Sequence, residues 1–440
     1  MSGHHHSGEG ETTVRGASAV LLCVVLPLAA LTLFGLITLW PSGDGPQDSR
    51  FDATYGTPGS QVVVGAIAEL ETFACPRGDE GPSGRALTCS RARIRLEDAD
   101  GARPRTVTVD LPPGSHQAGA AVGDRVRLLR APVGEEGAKT DYYAFVDFYR
   151  DPPMLALAIA YALVVVLVAR MRGLRALLGL VLAFGVLATF MLPALLEGKP
   201  PLLVGLTGSS AIMLVVLYFA HGLSARTTTA LLGTLAGLAV TAILGAWATG
   251  AARLTGTGSE ESGLLQSGVG SLDLSAVLLC GIVLAGLGVL NDVTITQASA
   301  VWELHALSPT MSARRLFAGA MRIGRDHIAS TVYTIAFAYA GAALPTLLLL
   351  ELYQRPVLIA TTSGELAEEV VRTLVGSIGL VLAIPLTTAV AVAVVKAADR
   401  HTQARPRKGR AGNRREDQSG NLPDEIEPTT DHAYERSWRV

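Results

Sequence analysis

The sequence predicts an all-α helical membrane bundle of about eight transmembrane helices, carrying an inserted, small extracytoplasmic β-barrel-like domain of OB-like type. Three observations predict it. Long runs lack any charged residue, one polar segment alternates as strands do, and Lys and Arg gather in alternate loops. Of the 440 residues, 49% are hydrophobic and only 17% are charged, against about 25% charged in soluble domains. The deficit is concentrated: residues 152–169 and 227–249 hold no Asp, Glu, Lys or Arg. A run of roughly 18 apolar residues can cross the hydrocarbon core as a helix. The net charge of −2 says little beside this distribution.

Residues 1–16 read as a polar N-terminal tail on the cytoplasmic side. Nothing near His4, His5 and His6 fixes a metal geometry, and the run is set aside as either native or foreign to the protein. Residues 17–40 read as an uncleaved anchor helix. Their apolar stretch exceeds the roughly 7–15 residues of a signal-peptide core, no small-residue cleavage pattern follows, and Trp40 suits an interfacial belt.

Residues 41–151 differ in kind. Alternating runs at 61–68, 91–96, 105–109, 125–129 and 143–148 predict half-buried strands separated by Gly, Pro and Asp. The stretch from Val122 to Val126, with Gly123 and Asp124, reads as a turn feeding a strand. About five short strands suit a closed or semi-closed barrel. Arg91, Arg93, Arg95, Arg103 and Arg105 form a basic patch that reads as a solvated face, and no nucleic-acid partner is implied. Of the four cysteines, Cys23 and Cys280 lie in apolar runs and read as packing residues. Cys75 and Cys89 are expected to form a disulfide if this segment faces an oxidising exterior, the alternative being two free thiols.

Residues 152–396 read as a seven-helix membrane domain, with apolar runs at 152–169, 174–196, 202–220, 227–249, 274–301, 328–350 and 370–395. Arg170, Arg172 and Arg175 share one tight loop, Arg226 lies in another, and Arg314, Arg315, Arg322 and Arg325 lie in a third. With an even number of spans, these loops and both termini fall in the cytoplasm, as the positive-inside rule requires. Glu197, Glu260, Glu261, Glu351, Glu365, Glu368 and Glu369 fall opposite. The tail, 397–440, passes from basic to acidic without periodicity and is expected to be disordered and cytoplasmic.

The sixth run carries the candidate site. An acid such as Asp292 within a span costs roughly 2.5–3.5 kcal/mol on insertion scales unless paired or hydrated. Asp292, Thr296, Ser299 and Glu303 follow an i, i+4, i+7, i+11 pattern and share one helical face, flanked by Asn291, Thr294 and Gln297. Two readings stay open. The face lines a route for a cation, proton or polar solute, or it joins helices through hydrogen bonds worth about 0.6 kcal/mol each. Tyr218, His221, Tyr333, Thr334 and Tyr339 read as structural, as does His327, which follows Asp326 at an expected helix start. Gly233 and Gly237 form a close-packing signature.

No phosphate-cradling loop, no Cys-x-x-Cys, no His-Glu-x-x-His and no Gly-x-Ser-x-Gly elbow occurs. The expectation is a non-enzyme without cofactor or metal.

The stretch 288–304, reading Gly-Val-Leu-Asn-Asp-Val-Thr-Ile-Thr-Gln-Ala-Ser-Ala-Val-Trp-Glu-Leu, resembles the YibE/F-like family of bacterial membrane proteins. The resemblance continues at 322–330, 338–341 and 372–379, and in organisation covers roughly 62–395. It implies a multipass protein of the bacterial plasma membrane and supplies no substrate or catalytic residues. The chain departs from the family pattern at Asn291, where an acid is expected, and at Tyr333, where Asn is expected. The expected function is a permease or channel-like transporter for an ion or small polar solute, with Asp292 as the binding or relay acid and Asn291, Thr296, Gln297, Ser299 and Glu303 along the path. The alternative is a non-transporting envelope scaffold or sensor that binds a protein partner through its β domain. The lipid bilayer is a partner in either case, and a homo-oligomer is allowed.

Overall fold

The computed structural model describes residues 10–43, 60–75, 88–97, 105–117, 119–133, 140–268, 272–354, 356, 359, 361–362 and 364–403. The His4–His6 run, Arg103 and the tail beyond Gln403 lie outside the described residues.

The polar segment folds as β1 (Gln61–Ala74), β2 (Thr88–Leu96), β3 (Thr106–Leu111), β4 (Arg125–Val133) and β5 (Thr140–Phe148). They form one antiparallel sheet in the order β3-β2-β1-β4-β5. The period of two explains the layering. Along β2, Ala92, Ile94 and Leu96 are buried while Arg91, Arg93 and Arg95 face out. The inward side chains pack with Ile67, Val109, Val126 and Leu128 into a small core. The outward arginines form a solvated face tied by ion pairs, Arg91 to Asp110 at 2.6 Å and Arg93 to Glu69 at 2.8 Å. Arg105 beside β3 and Arg130 of β4 both reach Asp141 of β5, at 3.6 and 3.0 Å. The first of these links the two edge strands β3 and β5, which lie against each other so that the sheet curls into a half-barrel, and the second joins the paired neighbours β4 and β5. Gly123, at φ +100°, makes the turn into β4. Cys75 and Cys89 are joined by a disulfide, with Cα atoms 4.9 Å apart, at the end of the β1–β2 hairpin.

The helices are α1 (Gly10–Leu39), α2 (Asp151–Val186), α3 (Leu192–Leu196), α4 (Pro201–His221), α5 (Ala225–Ala251), α6 (Glu260–Gly268), α7 (Leu274–Leu307), α8 (Ala313–Ala342), α9 (Leu344–Leu352) and α10 (Gly364–Gln403). Among the described residues five helices are long and apolar enough to cross a membrane, or six if the bent pair α8–α9 counts as one. That pair turns by 63° where Pro345 opens α9. A single π turn, Leu187–Met191, joins α2 to α3.

Inside α2, Arg170 has φ 52° and ψ −133°, which no helix accommodates. A Cβ added at Gly173 would lie 2.5 Å from the Val165 carbonyl oxygen, although eight residues of continuous helix would separate them by about 12 Å. The chain therefore turns sharply at Arg170, and α2 is two arms, 151–169 and 171–186. Large apolar side chains stay exposed on both arms, Val168 at 81% among them, a surface suited to lipid rather than water.

The core of the bundle is α5, α7 and α10, which approach closely because small residues face each other. A Cβ at Gly233 of α5 would collide with Thr387 of α10, and one at Gly237 would lie 2.7 Å from Leu290 of α7. Leu231, Leu238, Leu290 and Ala383 fill the seam between them.

Polar contacts sort the two ends of the bundle. At one end Arg226 meets Glu303 at 3.0 Å, and Asp399 meets both His305 at 3.2 Å and Lys396 at 2.9 Å. At the other, the Glu197 carboxylate accepts hydrogen bonds from the amides of Ser42 and Gly43, both 2.9 Å, and Glu368 accepts from the Gly258 amide at 3.2 Å. The Ser42 amide is the main reason the Glu197 carboxyl is held below its ordinary range.

Several boundaries differ from the sequence reading. Helix α1 begins at Gly10, inside the expected tail, and α10 runs on to Gln403, so the first residues after 396 are helical rather than disordered. Helix α8 begins at Ala313, fourteen residues before His327, so Asp326 and His327 lie mid-helix and not at a helix start. The reason is amphipathicity. Leu316, Ala320 and Gly324 recur every four residues and are buried, while Arg314, Arg315, Arg322 and Arg325 face out. Such a stretch has no continuous apolar run to reveal it.

Candidate functional site: the polar face of α7

Asp273 caps α7 by accepting a hydrogen bond from the Ala276 amide at 3.1 Å, which fixes where the helix starts. Asp292 stands eighteen residues on, about 27 Å along the axis. A hydrocarbon core is about 30 Å thick, so Asp292 falls near the boundary on the basic end and not at mid-depth. His327 sits at the same level, directly before the apolar run of α8. Its Nε2 is 3.7 Å from Asp292 Oδ2, with side chains 30% and 71% exposed respectively. That separation suits an ion pair and is too long for a hydrogen bond. His327 Nε2 has no hydrogen-bond partner among the described residues.

The other candidate residues take separate places. Thr296 donates to the Asp292 carbonyl of its own helix at 2.7 Å. Thr296 and Ser299 line a cavity of about 860 Å³ together with Arg172, Arg175 and Arg226. Asn291 lines an adjoining apolar cavity of about 520 Å³, and its Oδ1 is buried without a partner among the described residues. Gln297 is 3% exposed and its amide donates to the Ala320 carbonyl at 3.0 Å and to Thr388 Oγ1 at 2.7 Å, bridging α7, α8 and α10. Thr294 is buried 2.6 Å from Thr234 Oγ1 of α5. Glu303 pairs with Arg226.

The spacing thus correctly puts Asp292, Thr296 and Glu303 on one exposed side of α7, with Ser299 half-buried at its margin. It does not bring the six residues to one point. Asp292 lines neither cavity, and Gln297 is sealed in helix packing. Sequence reasoning missed His327 as the partner of Asp292, and missed that Arg172, Arg175 and Arg226 converge. For His327 the available signal was its position at the switch from the arginine-rich stretch to the apolar run. For the arginines none existed beyond their use as topology markers. Among the described residues no three His, Cys, Asp or Glu side chains converge as metal ligands.

A bundle of helices long and apolar enough to cross a membrane, beside a curled β domain, defines a membrane protein. The YibE/F-like protein family matches residues 157–397, more than half of the chain, and the chain belongs to that family. The match covers the helices from α2 to α10 and leaves α1 and the β domain outside it, a narrower extent than the organisational resemblance. No curated protein and no solved structure matches the chain.

Proposed function

We propose that the chain is a multipass permease or channel-like transporter, without enzymatic activity, for an ion or small polar solute that passes along the α7 face. One observation carries this reading: two ionisable groups on different helices, the exposed Asp292 and the partly buried His327, face each other at 3.7 Å, and His327 Nε2 is buried without a hydrogen-bond partner among the described residues. Ionisable groups in spans mark ion and proton routes by default.

The topology that goes with it has eight spans, both termini in the cytoplasm of a bacterium and residues 41–151 outside. The sharp turn at Arg170 supports counting two spans in α2, and the gathering of Arg172, Arg175, Arg226 and Lys396 at one end supports placing that end inside. The sheet order with β3 drawn to β5 supports the OB-like reading of the outer domain.

The test is proton and cation flux into proteoliposomes of the full chain. Asp292→Asn should abolish flux while the protein still folds, and transport retained by a folded Asp292→Asn variant would refute the reading. A second reading, a scaffold or sensor, is favoured by a cleft of about 460 Å³ between β3 and β5, lined by Arg91, Asp110, Tyr142 and Phe145. It predicts that removal of residues 51–149 abolishes function while Asp292→Asn does not.

A further inference from the structure

The two cavities beside α7 are contiguous, sharing Ala176, Ala220 and His221 in their walls. They differ in chemistry. The larger one holds the cations Arg172, Arg175 and Arg226, and no Asp or Glu lines it. The N-terminus of α5 opens into it at Ala225, adding the positive end of a 27-residue helix. Trp302, in the same wall, keeps a buried indole Nε1 without a hydrogen-bond partner among the described residues. The smaller cavity is apolar, lined by Leu180, Phe184, Met213, Leu217 and Leu287.

One helical stripe runs through both. On the second arm of α2, Arg172 and Arg175 face the first cavity, while Gly179, Ala183 and Leu187, each about a turn further on, face the second. From Arg172 to Leu187 the stripe is about 22 Å long. A single elongated ligand with an anionic head and an apolar tail would satisfy it. The head meets Arg172 and Arg175, with Arg226 shared with Glu303, and the tail lies in the apolar groove.

We infer that this is a binding site for one anionic phospholipid, its phosphate held by Arg172, Arg175 and Arg226 and one acyl chain lying in the groove up to Leu187. The orientation matches a lipid whose headgroup lies at the basic end of the bundle. Basic pockets between helices at the cytoplasmic surface are suited to such headgroups. The site goes beyond the transport reading and does not require it, since its readout is binding.

The experiment is native mass spectrometry of the detergent-purified full chain, titrated with phosphatidylglycerol and, separately, phosphatidylcholine of the same acyl chains. Two variants separate head from tail. R172Q/R175Q changes two exposed side chains and should weaken phosphatidylglycerol binding roughly thirtyfold, with phosphatidylcholine little changed. Gly288→Leu fills the groove from α7, where an added Cβ meets nothing within 4 Å. It should lower binding of both lipids at least tenfold. Free glycerol phosphate should not compete at concentrations that phosphatidylglycerol saturates. Wild-type affinity for phosphatidylglycerol in R172Q/R175Q would overturn the proposal, as would equal affinity for the two lipids. Effective competition by glycerol phosphate would reduce the site to one for free anions and overturn the lipid assignment.

Discussion

Gln297→Met is expected to weaken the helix bundle while leaving flux through the α7 face intact, which separates it from Asp292→Asn. The substitution keeps an unbranched side chain of similar volume, so little cavity is added. Two hydrogen bonds disappear, to the Ala320 carbonyl at 3.0 Å and to Thr388 Oγ1 at 2.7 Å. Neither partner is orphaned. Thr388 still donates to the Ile384 carbonyl at 2.7 Å, and the Ala320 carbonyl lies within α8. Interhelical hydrogen bonds in membrane proteins average about 0.6 kcal/mol and reach about 1.7, so the loss should be about 1–2 kcal/mol. It can be read from denaturing-detergent titrations followed by the fluorescence of Trp302 and the other tryptophans. A cycle with Thr388→Val isolates the shared bond, with a coupling of roughly 0.6–1.7 kcal/mol. Additivity within about 0.3 kcal/mol would refute the bridge. Loss of flux in a stable Gln297→Met variant would return Gln297 to the path.

Reduction of the Cys75–Cys89 disulfide, which spans a sequence separation of 14, should cost the β domain about 3 kcal/mol by the loop-entropy account. Amide exchange should rise in Gln61–Ala74 and Thr88–Leu96 and stay unchanged in α5 and α7. The β2–β3 edge should be acid-sensitive. The Arg91 hydrogen bond holds the Asp110 carboxyl below its ordinary 3.8. Its contribution is therefore complete above that value and fades as pH falls through the lower folded one, and Asp110→Asn should flatten this dependence in exchange rates of residues 106–111. Asp399→Asn removes the carboxylate charge shared by His305 and Lys396, whose side chains are 15% and 19% exposed. It should cost about 1–3 kcal/mol, measured as in the Gln297 titration.

What could be read from the sequence was what leaves a one-dimensional trace. Alternation located all five strands, because a half-buried sheet repeats every two residues. Apolar runs located the bundle helices, and the Gly233–Gly237 spacing marked the seam that α5 makes with α7 and α10. The arginine-rich start of α8 was invisible, since an amphipathic helix lying outside the apolar layer has no run to find. The turn at Arg170 was legible as a basic interruption between two apolar stretches, though not as a sharp reversal within one helix. At the site, helical periodicity assigned Asp292, Thr296 and Glu303 to one side. It could not show that Gln297 meets Thr388 or that Asp292 meets His327, because those neighbours come from helices whose rotation no single sequence specifies.

Depth decides how much the presence of Asp292 can argue. At mid-depth an acid costs roughly 2.5–3.5 kcal/mol, and retention of such a residue would itself point to function. About 27 Å from the start of α7 it lies where headgroups and water approach, and that cost falls. Its partner then carries the argument. Arg226 and Glu303, at the same end of the bundle, close to 3.0 Å as a structural ion pair does. Asp292 and His327 stop at 3.7 Å, with His327 Nε2 unbonded. Asp292, 71% exposed, keeps acceptor capacity toward the surface, while His327 Nε2 stays buried behind it. Helix packing of α7 is already supplied by Gln297 and Thr294, so the bundle does not depend on this pair.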